Sequence, residues 1–236
     1  MARTQLSLTA AEIALLLPGS GAETRPATPV TRALGLTDAE LVEPALQSAL
    51  GSLLIRGLAT PDGERIRHNP AVAAVAVGIG RPRFWIQLGL VSERGSDGAV
   101  LFDAGGARFL VMPRAFRCFD IVGLDLTADV RDPVVELVRR FLTDRRPAVA
   151  SMKIEVPVDA TSSEGADIPV AADARWVTVA MADDGRWTCA AGCDPDNATV
   201  GLAEDEAIGR LRTELAAALP DRVAVPETPE SLVSGG

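Results

Sequence analysis

Phe84, Ile86, Leu88 and Leu90 occupy every second position of one stretch, and Met152, Ile154, Val156 and Val158 do the same in another, alternating with Ser151, Lys153 and Glu155. Successive strand side chains point to opposite faces, so each run predicts a strand with one buried face. Each run also opens a similar series. After the first, a turn over 95–98 leads to a strand over 99–102. Gly105-Gly106 turns into 108–112, and 113–115 turns into 116–126. Asp132-Pro133 then opens a helix with Val134, Leu137, Val138 and Phe141 on one stripe. After the second run come a polar loop over 159–167 and strands over 175–181 and 186–191 around the hairpin signal Asp184-Gly185. Beyond Pro195 and Asn197, Ile208, Leu211, Leu215 and Leu219 mark one face of a final helix. The pattern predicts an α+β fold in which an antiparallel β-meander-plus-helix unit is used twice, as two quasi-symmetric halves.

The segment before the first strand is helical. Thr9 with Glu12 and Thr37 with Glu40 both fit the capping box, in which side chains at N-cap and N3 satisfy each other's backbone N–H groups. Between them, 18–29 is a Pro/Gly/Thr-rich loop. Pro44 either kinks the second helix or starts a fresh one at its first turn. Leu46, Leu50, Leu53 and Leu54 then keep helical spacing up to Gly57, which suits a helix C-terminus. Leu58-Ala59-Thr60, a turn at Pro61-Asp62-Gly63-Glu64 and Arg65-Ile66-Arg67 form a small β-wing, and Asn69-Pro70 starts another helix running through Val77. The expected division is a helical segment with a wing over 1–80, the two halves over 81–147 and 148–219 as one domain, and a Pro-, Glu- and Ser-rich disordered tail over 220–236.

With 23 basic and 32 acidic residues the net charge is −9. Such a field repels phosphates and disfavours nucleic acid and anionic membranes. The longest apolar stretch, 71–79, is far below the roughly 18–20 residues of a membrane helix. The N-terminus leads into a short helix rather than a long apolar core with a cleavage site, so the chain reads as neither secreted nor membrane-bound.

Chemistry-bearing residues are sparse. Cys118, Cys189 and Cys193 are an odd number, which suits free thiols, and the C-x3-C pair lacks the further ligands zinc wants. His68 is the only histidine and lies at a strand-to-helix junction. Gly78-Ile79-Gly80 follows a helix-like stretch and lacks the dinucleotide fingerprint, and the only lysine, Lys153, lies in a strand, which excludes a P-loop. Asp183-Asp184, Asp194-Pro195-Asp196 and Glu204-Asp205-Glu206 fall at a turn, a loop and the start of a helix, where local structure favours acids without any catalytic role. No catalytic residue, cofactor or metal ligand is therefore assigned. Two surface features remain. Arg139-Arg140 and Arg145-Arg146 form the most basic spot. Trp85, Trp176 and Trp187 lie in strands, where they either pack under helices or anchor an interface, and Trp176 and Val177 must face opposite ways.

In this order of elements, 8–16 (Leu-Thr-Ala-Ala-Glu-Ile-Ala-Leu-Leu), the Arg56-Gly57-Leu58 step, the His68-Asn69-Pro70 helix start and the strand over 84–90 resemble the EspG family of type VII (ESX) secretion chaperones of actinobacteria, over residues 5–219. An Ala- and Arg-rich, Lys-poor composition is in keeping with a GC-rich actinobacterial source. The resemblance implies a non-enzymatic cytoplasmic chaperone that holds a secreted helical partner, PE–PPE-like, before export. It transfers no individual binding residue. Two other readings stay open. One is a winged-helix DNA-associated regulator with a C-terminal sensing domain, its recognition helix 44–56 carrying only Arg56 as a cation. The other is an enzyme or ligand carrier with a pocket that includes His68 or Cys189.

Overall fold

The computed structural model describes residues 5–17, 28–63, 65–158, 171–192 and 197–220. The expected loop over 159–167, the tail beyond residue 220, most of the loop over 18–29 and Cys193 lie outside those residues. The chain begins with strand β1 (Gln5–Thr9), then helices α1 (Ala10–Leu16), α2 (Pro29–Ala33), α3 (Asp38–Leu41) and α4 (Glu43–Ile55). A small hairpin, β2 (Ala59–Asp62) and β3 (Arg65–His68), precedes α5 (Pro70–Gly80). The first meander is β4 (Phe84–Ser92), β5 (Gly95–Asp103), β6 (Arg108–Arg114) and β7 (Cys118–Gly123), followed by α6 (Arg131–Asp144). The second is β8 (Ala148–Val158), β9 (Ala171–Met181), β10 (Trp187–Ala191) and β11 (Ala198–Leu202), followed by α7 (Glu204–Ala218).

All strands except β2 and β3 join one nine-stranded sheet in the order β1-β7-β6-β5-β4-β8-β9-β10-β11. Every neighbouring pair is antiparallel. Reading outward from the β4–β8 seam, each half is a four-strand meander that ends in one helix, so the fold is α+β with the repeated unit predicted above. The two helices lie on the same face. Val134, Val138 and Leu142 of α6 and Ala207, Leu211 and Leu215 of α7 pack with Ile86, Leu88, Met152, Ile154, Val177, Val179 and Trp187 in one core. Arg212 of α7 pairs with Asp132 of α6 at 2.8 Å.

Two strands were not expected. The N-terminus does not lead straight into a helix: β1 pairs with β7, Leu8 opposite Phe119. Its five residues show the alternation only through Leu6 and Leu8, too few to stand out beside a strong helix start. The second unexpected strand, β11, stands where the final helix was expected to begin. A register shift between Trp187 and Thr188 and a left-handed Gly201 (φ 75°) break its alternation. Pro44 starts a fresh helix, lying in the first turn of α4 behind the four-residue α3.

The N-terminal helices cover the other face of the first half. Leu8, Ile13, Leu53, Val72, Val75 and Ile79 pack on Trp85, Val100, Phe102, Phe109, Val111, Phe119 and Ile121. Two details tie this layer down. Glu12, the capping residue of α1, is fully buried. Its carboxylate accepts from the Thr9 N–H (2.8 Å), Ser52 Oγ (2.7 Å) and Arg56 Nη1 (2.9 Å), and Arg56 Nη2 donates to the Ser7 carbonyl at 2.6 Å. One carboxylate thus caps α1 and ties it to α4, while Arg56 reaches on to β1. The second detail is Gly78, where a Cβ would stand 2.2 Å from Phe109 Cε1. The Gly-Ile-Gly step is therefore a close helix-to-sheet approach, not a nucleotide cradle.

Glu12 is fully buried, but the Arg56 side chain is 39% exposed, so the pair is only half-buried. Arg56→Ala leaves Glu12 with Thr9 and Ser52 as donors and is expected to destabilise by about 1–3 kcal/mol in urea unfolding, the cost of a lost hydrogen bond to a buried charged group. For Gly78→Ala two effects oppose. Helix propensity favours Ala by about 1 kcal/mol, while overpacking a tight contact costs about 1–3 kcal/mol. The Phe109 contact is too short to relax freely, so a net loss of stability is expected in the same measurement.

Candidate partner-binding surface

The N-terminal layer stops at the seam. The core beneath it holds no residue of β8, β9, β10 or β11, so among the described residues no helix packs on the second half's corresponding face. The register shows what that face carries. One row across the strands is Val91, Val149, Ala180, Thr188 and Val200. The next is Gly89, Ser151, Thr178, Ala190 and Ala198. A third is Gln87, Lys153 and Trp176. Val91, Val149, Trp176 and Val200 are 56%, 41%, 39% and 71% exposed, and all four lie on this face. Small side chains thus floor a trough between a valine-rich ridge and a Gln-Lys-Trp ridge. The ridges are four residues apart along a strand, or about 13 Å at ~3.3 Å per residue. An α-helix with its side chains is about 10–12 Å across. Five strands at ~4.8 Å spacing span about 19 Å, the length of a helix of roughly 13 residues.

The third row is held by the next pair along the same face, Trp85 and Glu155. Glu155, almost wholly buried, accepts from the indole N–H of the buried Trp85 at 2.8 Å, from the Gln87 amide, and from Lys153 Nζ at 2.7 Å. Lys153 Nζ lies 5.8 Å from the centroid of the Trp176 ring, a cation–π contact. The only lysine in the chain therefore fixes the one tryptophan left partly open. Trp176 faces outward and Val177 inward, as their alternation requires, and Trp85 and Trp187 are buried.

The other sequence candidates are dispersed. His68 ends the β2–β3 hairpin opposite Ala59, and its buried Nδ1 has no hydrogen-bond partner. Cys189 is buried in the core with α7, where burial pushes its thiol up. Cys118 is half-buried at the start of β7. No group of three or more His, Cys, Asp or Glu able to hold a metal occurs among the described residues. Arg139 pairs with Glu136 at 2.8 Å and lies 3.7 Å from Glu204. Arg140 meets Asp144 at 3.7 Å, and Arg145 stacks over Phe141. The basic spot is thus largely spent within the molecule. Asp184 serves its turn by accepting from the Arg186 N–H, and Glu204, Asp205 and Glu206 open α7. Arg56, the one cation of the expected recognition helix, is committed to Glu12.

A separate open cleft of about 550 Å³ lies between α5 and the β1, β6 and β7 end of the sheet, lined by Leu6, Pro70, Val75, Phe109, Ile121 and Leu124 among others. Neither His68 nor Cys189 lines it. Its one charged lining residue, Arg108, is held by Asp103 at 2.7 Å and by the carbonyls of Asp125 and Ala128. No helix among the described residues is long and apolar enough to cross a membrane.

The fold is a continuous antiparallel sheet with α6 and α7 on one face and the N-terminal helices on the first half of the other. No protein-family model matches the chain, and no curated protein matches it by sequence. Among solved structures, the fold is similar to that of the Mycobacterium tuberculosis type VII secretion system chaperone EspG5, solved in complex with the PE25–PPE41 dimer. The TM-score is 0.57 at 10% sequence identity, with 92% of this chain and 98% of that chain covered.

The Gln87 and Lys153 side chains of the third row are held by Glu155, which gives a stability test. Glu155→Ala leaves the indole N–H of the fully buried Trp85 without its acceptor, at about 1–3 kcal/mol for a buried unsatisfied group. Chemical denaturation is expected to show a loss of that size. Lys153→Met should cost less, because Lys153 is partly exposed and Glu155 keeps its two other donors.

Proposed function

We propose that the chain is a non-enzymatic, cytoplasmic binding protein of the EspG-like chaperone type, which holds a helical secretion substrate, PE–PPE-like, until export. The observation that carries this reading is the trough on the bare half-face. It is of helix width, floored by small side chains and edged by exposed valines and Trp176, and the matching half-face of the same sheet is already covered by the chain's own helices. A face that accepts helices in one half offers the same pleated ground in the other. The EspG5-like fold supports the choice of partner, since that chaperone was solved with a PE–PPE dimer. An acidic body, net −9, keeps a complex with an apolar partner dispersed. Trp176, held by Lys153, supplies the kind of rigid aromatic that dominates interface energetics.

Co-expression with PE–PPE heterodimers, PE25–PPE41 among them, followed by size-exclusion chromatography tests the reading. Co-elution with the wild-type chain is the expected result. Val149→Lys and Val200→Lys place charge on the exposed valine ridge without touching the core. Each is expected to weaken the complex by at least about tenfold, with the melting temperature within about 2 °C of wild type, as for surface changes under ~0.5 kcal/mol. Wild-type affinity in both variants would move the interface elsewhere.

A further inference from the structure

Phe116 is 95% exposed, at the tip of the hairpin between β6 and β7. Its backbone is left-handed (φ 59°, ψ 34°), and so is that of Arg117 (φ 57°). Two consecutive non-glycine residues in this region carry a steric cost at a position where glycine would carry none. The ring meanwhile forgoes the burial that is the usual reason for a phenylalanine. Two independent costs therefore fall on one side chain.

The surroundings hold this conformation. Arg117 Nε donates to Glu40 Oε1 at 2.7 Å, and Arg117 Nη2 to the Gly35 carbonyl at 3.0 Å. On the other flank, Arg114 Nε donates to Asp120 Oδ2 at 2.8 Å, and Ser7 Oγ donates to Asp120 Oδ1 at 2.8 Å. Burial would raise the Glu40 carboxyl, but hydrogen bonds from Thr37 and Arg117 outweigh it and hold the group below the usual carboxylate range. The tip is thus clamped to the α2–α3 turn and α3 on one side and to β7 on the other, with the ring pointing into solvent.

We propose that Phe116 is a preorganised aromatic anchor that inserts into an apolar pocket on a folded protein partner. A membrane is the weaker candidate. Only one ring is presented, both flanking arginines are paired with acids, and a chain of net charge −9 is repelled by anionic lipid. The placement points to the partner that fills the trough, and in this the inference rests on the function proposed above. β4 and β6 run in the same direction, so the tip lies at the Val91 end of the sheet. Its clamp to Gly35 and Glu40 brings the tip against the N-terminal helices, which pack on the face on which the trough opens.

The test uses the full chain and a PE–PPE heterodimer that co-elutes with it, titrated by calorimetry. Phe116→Ala removes the ring and keeps the strain, Phe116→Gly removes both, and Phe116→Trp keeps an aromatic. Affinity is expected to fall about tenfold or more in the Ala and Gly variants and to persist in the Trp variant. Phe116→Gly should melt no lower than wild type and above Phe116→Ala. Three results overturn the inference: undiminished affinity in both truncated variants, a Phe116→Gly chain that melts below wild type, or loss of sedimentation with phosphatidylserine vesicles on truncation. If Phe116→Gly loses affinity while Val149→Lys does not, the anchor stands and the trough falls. If no heterodimer binds the wild-type chain, both fall.

Discussion

The pairing of β4 with β8 is the constraint on which the rest of the molecule depends. It runs from Trp85 opposite Glu155 to Ser92 opposite Ala148 and is the only strand contact between the two halves in the sheet order. Without it each meander would end in a raw edge at its most apolar strand, an invitation to aggregate. With it, Ile86, Leu88 and Leu90 meet Ile154, Met152 and Ala150 at the centre of one core, roofed by α6 and α7 together. Neither helix has a complete surface to pack on until both halves are present.

The same seam makes the two faces unequal. On the α6 and α7 face, burial runs straight across it. On the other face it is a frontier, where the apolar layer under α1, α4 and α5 ends at Trp85 and a polar network at Glu155 takes over. A carboxylate is a costly group to bury, and it remains because three donors converge on it. By ending the covered region with satisfied polar groups, the fold leaves the second half's outer face, with its valines and Trp176, open without extending the first half's core over it. Non-specific interaction is limited by the small size of the exposed groups, since valines and a half-covered tryptophan make a modest patch.

Much of this architecture was legible in the residues. The period-two runs at 84–90 and 152–158 locate the two strands of the seam, and the stripes at Val134–Phe141 and Ile208–Leu219 locate the roofing helices. Thr9 and Glu12 mark the start of α1. What escaped depends on partners far away in the chain. β1 has only Leu6 and Leu8 to show, and it is a strand because β7 lies beside it. β11 is irregular in itself and is defined by β10. Glu12 reads as a cap, yet its burial and its bond to Arg56 follow from packing across more than forty residues. The surface was harder still. Alternation shows that Trp176 and Val177 part company, but which of them meets solvent is decided by where α7 lies. Phe116 left no signal, because nothing in a Pro-Arg-Ala-Phe-Arg stretch specifies a left-handed phenylalanine.

The placement of β1 at the sheet's edge carries a consequence for how the chain is made. β1 leaves the ribosome well before its partner β7, which ends at Gly123, more than a hundred residues later. Pairings between strands so distant in sequence form late, since the loop must close before contacts reward it. The edge strand that closes the covered half therefore depends on a contact far apart in the chain, whereas α5 packs on β5 and β6, the strands that follow it closely.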